Sequence, residues 1–187
     1  THAENMFIQG NLPSLEVIVA PTANITSMAG LFRMLTVESL DLSYLDTSNV
    51  TDMSAMFADI ITPGGIDLSG FDTSKVTTTK DMFERFEGSL DLSGFDMSKV
   101  EDLSGMFASA NLQSLDMGDG WNLASALTLT RMFANTDIPV ENPDTDPFRL
   151  VISAPLATDV SRMFEGSGIL GLDLSRFQAP SANTMNG

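Results

Sequence analysis

Carboxylates are the chemically versatile side chains that this sequence offers in number, since it has 25 acidic and 9 basic residues, one histidine and no cysteine. Carboxylate pairs act as general acids and bases or hold calcium ions. Here one acid recurs at the same place in a repeated motif, at Asp41, Asp67, Asp91, Asp116 and Asp173. An active site is one local constellation, whereas these acids form a periodic series. We therefore expect no enzyme and assign no catalytic residue, cofactor site or metal site.

The remaining catalytic side chains are scarce. His2 is the single histidine, and it lies two residues into the sequence, where chains usually fray. A serine–histidine triad is therefore not expected. Without cysteine the chain has no thiol nucleophile, no disulfide and no zinc–cysteine site, and its redox compartment stays open.

A repeat accounts for the spacing of the acids. An apolar residue followed by phenylalanine returns at intervals of 25, 25, 26, 24, 26 and 31 residues. The seven pairs begin at Met6, Leu31, Met56, Met82, Met106, Met132 and Met163. A second block of the Leu-Asp-Leu-Ser type follows each pair, most loosely at residues 150–153. We interpret residues 1–187 as a single domain of about seven copies, and we expect it to be a fragment of a longer array.

Each block has a period that predicts local structure. In Leu-Asp-Leu-Ser the apolar residues alternate with polar ones, which is typical of a short half-buried strand. Before each Met-Phe pair the apolar residues fall at i, i+3, i+6 and i+7, which favours a short helical or 3₁₀ segment. Stacked copies would then form an α/β repeat solenoid, a right-handed coil with one parallel β-sheet and short helical turns on the opposite side. In this register Leu92 and Phe107 lie inside and Lys99 lies outside.

The repeat resembles a known family. The pattern Val-Thr-Asp-Met-Ser-x-Met-Phe at residues 50–57, followed by Leu-Asp-Leu-Ser, is similar to the BspA-like leucine-rich repeats of bacterial surface proteins. The resemblance covers essentially the whole chain. It implies an exported protein on the bacterial cell surface, attached to the cell wall through regions outside this chain and engaged in adhesion to host tissue, mucus or cells. The family's motif residues are structural, so the resemblance assigns no catalytic or ligand-binding residue.

Candidate binding residues are the ones that depart from the repeat. Tyr44 stands where other copies have Gly70, Gly94 or Arg176, so its ring should project beyond the strand. Trp121 is one place later than the phenylalanine of regular copies, which favours a displaced core aromatic over a residue that stacks on a sugar. The 31-residue interval holds a proline-rich acidic loop at residues 137–147, interpreted as surface drift or, less favoured, as a recognition or calcium loop. Its candidate ligand-binding residues are Asp137, Glu141, Asp144 and Asp146.

Charge narrows the class of partner. The net charge of −16 opposes binding to nucleic acid, and no apolar stretch is long enough to insert into a membrane. Two functions remain open. The chain is interpreted as an adhesin domain for a host glycoprotein, mucin, matrix component or glycan, or alternatively as a rigid spacer that holds another domain away from the cell wall. Exposed terminal copies also predict end-to-end self-association of a truncated chain.

The acid series leads to a prediction about pH. If Asp41, Asp67 and Asp91 lie about 5 Å apart on one sheet face, mutual repulsion should raise their pKa values. The nearby serines would partly offset this effect through hydrogen bonds. We therefore expect greater stability near pH 5 than near pH 8.

Overall fold

The structure is a computed structural model, and it describes residues 10–16, 24–63, 65–118, 121–138, 152–169 and 175–183. Six short strands are present in these ranges. In chain order they are β1 (Gly10–Glu16), β2 (Leu35–Asp41), β3 (Glu87–Asp91), β4 (Asn111–Asp116), β5 (Trp121–Asn122) and β6 (Ile152–Ser153).

The strands pair in parallel as β1 with β2, β3 with β4 and β5 with β6. Equivalent residues of successive copies face each other, for example Leu90 with Leu115 and Asp91 with Asp116. Isolated parallel bridges continue the same register elsewhere, as between Thr36 and Ile61. Strands β2, β3 and β4 each end at the aspartate of a Leu-Asp motif, at Asp41, Asp91 and Asp116, whereas the equivalent block at residues 66–69 forms no strand.

The segments around the Met-Phe pairs are turns, so the prediction of helical or 3₁₀ segments there is wrong. Two residues in the segment around Phe57 have left-handed backbone angles, Ala55 with φ 52° and Asp59 with φ 58°. Right-handed helix cannot pass through such residues. The backbone N–H of Phe57 donates instead to the carbonyl of Met82 at 2.9 Å, in the following copy. Such bonds between copies alternate with turn bonds within the copy, as from Ala58 N–H to the carbonyl of Ala55 at 3.1 Å, so no continuous helical ladder forms.

These findings correct the predicted fold class. The described residues contain no α-helix, and their strands form three two-stranded sheets in place of one parallel sheet flanked by helical turns. The α/β right-handed solenoid is therefore wrong as a description of this chain. The observed architecture consists of short parallel strand pairs, isolated bridges and turns. The cause is that each block is too short, and too often interrupted by turns, to continue as a regular element.

Stacked aromatic rings run through the core. One phenylalanine from each copy stacks on the next, with ring centroids 5.1 to 5.8 Å apart and nearly parallel planes. The rings are Phe32, Phe57, Phe83, Phe107, Phe133 and Phe164. Offset stacking of buried rings contributes beyond their area burial. Leu92 and Phe107 are fully buried and Lys99 is exposed, so the predicted inward and outward positions of these residues are confirmed.

Candidate binding surface

The recurring aspartates close tight turns, which directly follow a strand at Asp41, Asp91 and Asp116 and occur without one at Asp67. Asp91 Oδ1 accepts the backbone N–H of Ser93 at 3.0 Å and its hydroxyl at 2.6 Å. The backbone N–H groups of Ser43 and Ser69 donate to Asp41 and Asp67 in the same way, at 2.9 and 3.0 Å. An aspartate that captures the N–H two residues later favours a turn over further strand. The Asp-x-Ser spacing is therefore a local stop signal for the strand.

The same hydrogen bonds reverse the predicted effect on acidity. The pKa values of Asp41, Asp67 and Asp91 are lowered, first by the serine hydroxyl and then by the serine N–H. Repulsion from Asp67 acts upward on the pKa of Asp41 and of Asp91, but it is smaller than either hydrogen bond. The prediction of raised pKa values was wrong because the three carboxylates are exposed, where water screens their repulsion. The predicted greater stability near pH 5 than near pH 8 rested on raised pKa values, so the lowered values do not support it.

A second outward row changes character along the chain. It begins with three aspartates, Asp46, Asp72 and Asp96, whose pKa values are also lowered, first by a serine hydroxyl two residues on. It continues as Asn122, Ser153 and Gln178, which we call the amide row. Asn122 lies opposite Ser153 in the register of β5 and β6, and Ser153 bridges to Gln178. Equivalent positions therefore carry negative charge in the earlier copies and neutral hydrogen-bonding groups in the later ones.

Tyr44 projects as predicted. Its side chain is 59% exposed and follows the end of β2, beside a shallow cleft of about 200 Å³ between the turns of Asp41 and Asp67. An exposed tyrosine offers an apolar ring and a hydroxyl to a partner. Its role as a ligand-binding residue stays a prediction.

Trp121 belongs to the core, which confirms the favoured interpretation of this residue. It is 4% exposed, and its ring stacks on Phe107 with centroids 6.3 Å apart. Its indole Nε1 is buried and has no hydrogen-bond partner among the described residues. The ring face is therefore not a surface platform. The residue is nevertheless among those that line a cleft between copies.

The predicted recognition loop lies largely outside the described residues. Glu141, Asp144 and Asp146 fall in the range 139–151, outside the described residues. Asp137 is described and exposed, and its backbone bridges to Asn111 of β4. Its carboxylate closely covers Gly168, where a methyl group would come within 2.0 Å of Asp137 Oδ1. Asp137 thus helps to join neighbouring copies.

A charged cluster at another outward position was not foreseen. Asp59 pairs with Arg85, whose Nη2 donates to Asp59 Oδ2 at 3.0 Å, and Arg33 Nε lies 3.6 Å from the same oxygen. The Arg85 hydrogen bond, the largest contribution, holds the pKa of Asp59 below its usual range. These residues come from three different copies, so no local pattern could have revealed the cluster. Exposed pairs of this kind contribute little to stability.

The described ranges show neither a candidate metal site nor a candidate membrane span. They bring no three His, Cys, Asp or Glu side chains together in a way that could hold a metal ion. Nor does the described part of the chain contain a helix with the length and apolarity that a membrane crossing requires.

Comparison with known proteins places the chain in a protein family. A family described as "Mycoplasma protein of unknown function, DUF285" matches residues 1–111 and again residues 26–146. The two matches begin 25 residues apart (26 − 1), which equals the first interval between the apolar-Phe pairs. The chain belongs to this DUF285 family. It matches no curated protein and no solved structure.

Proposed function

We propose that this chain is an adhesive module of a bacterial surface protein, which binds a host glycoprotein, mucin, matrix component or glycan through its outward side chains. Export to the cell surface and attachment through regions outside this chain are parts of the same proposal. Its basis is the resemblance to BspA-like surface proteins together with the contrast between core and surface described next. The proposal includes no catalytic activity.

The observation that carries the proposal is variation at one outward position over a nearly constant core. The position corresponding to Asp59 is occupied by Met34, Asp59, Arg85, Ser109 and Asn135 in the first five described copies and by Gly166 in the sixth, all with left-handed backbone angles. Two residues before it, every described copy from residue 32 onward has a buried or half-buried phenylalanine of the stacked core. A protein that served only as a spacer would gain nothing from five different chemistries on one repeated site. A binding surface uses such variation to define its ligand.

The spacer remains the second candidate because one observation favours it. The aromatic stack continues from Phe32 to Phe164 through six rings, a continuous packed core that suits a stiff support. Binding by the isolated chain separates the two functions, since a spacer has no ligand of its own.

The test is attachment of the purified chain to immobilised mucin, matrix proteins and host cells. We expect saturable binding to at least one of them, reduced when Tyr44→Ala or a deletion of residues 139–147 is introduced. A matched control is Lys99→Ala, which changes one exposed side chain at a regular position. Absence of binding to all three surfaces would favour the spacer.

A further inference from the structure

A cleft beside Trp121 combines a packed apolar floor with neutral hydrogen-bonding side chains and an arginine. Its volume is about 420 Å³, against about 200 and 160 Å³ for the clefts between the aspartate turns. Its lining includes Trp121, Asn122, Ile152, Ser153, Arg176 and Gln178. These residues come from three successive copies, so the cleft exists only when the copies are paired.

The inner wall of the cleft is apolar and rigid. Trp121 is held against Phe107 by ring stacking, and Ile152 beside it is fully buried. The backbone fixes both residues, since Leu123 N–H donates to the carbonyl of Ser153 at 2.9 Å and Gln178 N–H donates to that of Ile152 at 2.9 Å. A pre-formed wall needs little ordering when a ligand binds.

The rim of the cleft is the amide row. Its three side chains are exposed and make no hydrogen bond with the described residues. Neighbouring strands place such groups about 4.8 Å apart. In the earlier copies the aspartates at these positions are engaged by their own serines, for example Asp46 by Ser48 at 2.6 Å. The amide row is therefore uncommitted, and it offers both donors and acceptors.

Arg176 gives the cleft its charge. It is exposed, it forms no ion pair with the described residues, and the described residues that line the cleft include no carboxylate. Gly70 and Gly94 occupy the equivalent place in earlier copies. On a chain with a net charge of −16 this is a place where a ligand carboxylate meets a cation and neutral dipoles.

We propose that the cleft beside Trp121 is a subsite for an acidic sugar, a hydroxylated ring that carries a carboxylate. Arg176 binds the carboxylate and the amide row binds ring hydroxyls, above the packed floor formed by Trp121 and Ile152. The inference rests on the proposed adhesive function and specifies one chemical class of ligand for it. A purely apolar ligand would leave the amide row unsatisfied, and a polyphosphate would be repelled by the rest of the chain.

Trp121 is the single tryptophan of the chain, so its fluorescence reports on this cleft directly. We would titrate the full chain with methyl glucuronide and, separately, with methyl glucoside, which differ only at C6, a carboxylate in the first and a neutral hydroxymethyl group in the second. Saturable change of tryptophan emission is expected with the glucuronide, with about tenfold weaker binding of the glucoside, as for loss of one charge-assisted hydrogen bond.

Variants of the lining residues then test which side chain binds the carboxylate and which binds the hydroxyls of the sugar. Arg176→Gln should remove the preference for the glucuronide, and Gln178→Ala should weaken both sugars. Arg131→Gln serves as the control, since it removes one exposed positive charge at a residue that does not line the cleft. Equal affinity for both sugars, an unchanged preference in Arg176→Gln, or no response to either sugar would overturn the proposed subsite.

The same variants, tested for mucin attachment, separate this inference from the proposed function. If the chain attaches to mucin and shows no sugar response in the cleft, the subsite is wrong and the adhesive function stands. If methyl glucuronide binds as expected and no host surface is bound, the subsite stands and the adhesive function is wrong. Thermal melts of each variant verify that a lost response reflects the cleft and not unfolding.

Discussion

Residues 24–118 and the described segments after residue 120 share one core and differ on their surface. The phenylalanine stack passes from one region to the other through Phe107, which contacts rings of both. Outside, the first region presents Asp46, Asp72 and Asp96, each a carboxylate that accepts hydrogen bonds from a serine of its own turn. The second presents the amide row and Arg176.

This difference shows which positions are constrained. Rings that face the neighbouring copy must keep their size and shape because interiors are close-packed. The outward aspartates Asp46, Asp72 and Asp96 accept hydrogen bonds within their own turns, so charge at these positions can change without loss of packing. A surface that is free to change while the core is retained is suited to acquire binding sites.

The largest expected effect is at the junction of the two regions. Phe107→Ala removes a fully buried ring that stacks on Phe83, Trp121 and Phe133, and it should lower the free energy of unfolding by about 3–5 kcal/mol. Denaturant unfolding followed by circular dichroism and by Trp121 emission measures this. The exposed control Lys99→Ala should cost less than about 0.5 kcal/mol. Similar small losses in both variants would show that the two regions do not depend on the shared stack.

An intermediate effect is expected at a buried threonine of the first region. Thr73 is 2% exposed, and its hydroxyl donates to the carbonyl of Asp96 at 3.1 Å and accepts the Asp96 N–H at 2.8 Å. Thr73→Val deletes both bonds and should cost about 1–3 kcal/mol. In Thr77→Val, the control, an exposed hydroxyl bond to Thr51 is lost and water replaces it. Equal midpoint denaturant concentrations for the two variants would mean that the buried hydrogen bonds of Thr73 stabilise the fold no more than the exposed bond of Thr77.

The smallest expected effect concerns pH. Seven described aspartates have lowered pKa values and one, Asp81, has a raised pKa, first because of burial. A carboxyl group with a lowered folded pKa stabilises the fold above its unfolded value of about 3.9, and that contribution is lost as pH falls through the folded pKa. The raised pKa of Asp81 makes the contribution of this group to stability change with pH in the opposite direction. The thermal midpoint should therefore change little between about pH 7 and 5 and decrease below about pH 4.

Nuclear magnetic resonance titration of Asp91 sharpens that prediction. In Ser93→Ala the hydroxyl bond is lost, so the pKa of Asp91 should move upward toward its ordinary value. Ser39→Ala, which removes an exposed hydroxyl from β2, should leave the pKa of Asp91 unchanged. A pKa of Asp91 above the ordinary value in the unaltered chain would mean that repulsion along the aspartates outweighs the turns.

The sequence by itself determined the features that depend on residues close together in the chain. The interval of the apolar-Phe pairs identified which side chains lie inside, because burial follows from the identity of each residue at its place in the motif. The Asp-x-Ser turns are local as well, since donor and acceptor are two residues apart. The sign of the aspartate pKa shifts was predicted wrongly because repulsion between copies was weighed above these local bonds.

Only the tertiary structure decided how the backbone pairs and where a cleft forms. The apolar spacing before each Met-Phe pair suits a helix, yet Phe57 N–H bonds to Met82 in the next copy, a partner whose proximity no local pattern encodes. The cleft has the same origin, because Trp121, Ile152, Arg176 and Gln178 are far apart in sequence and converge only after the copies pair. Hydrogen bonds between copies compete with bonds within a copy, and the outcome depends on groups that folding alone brings together.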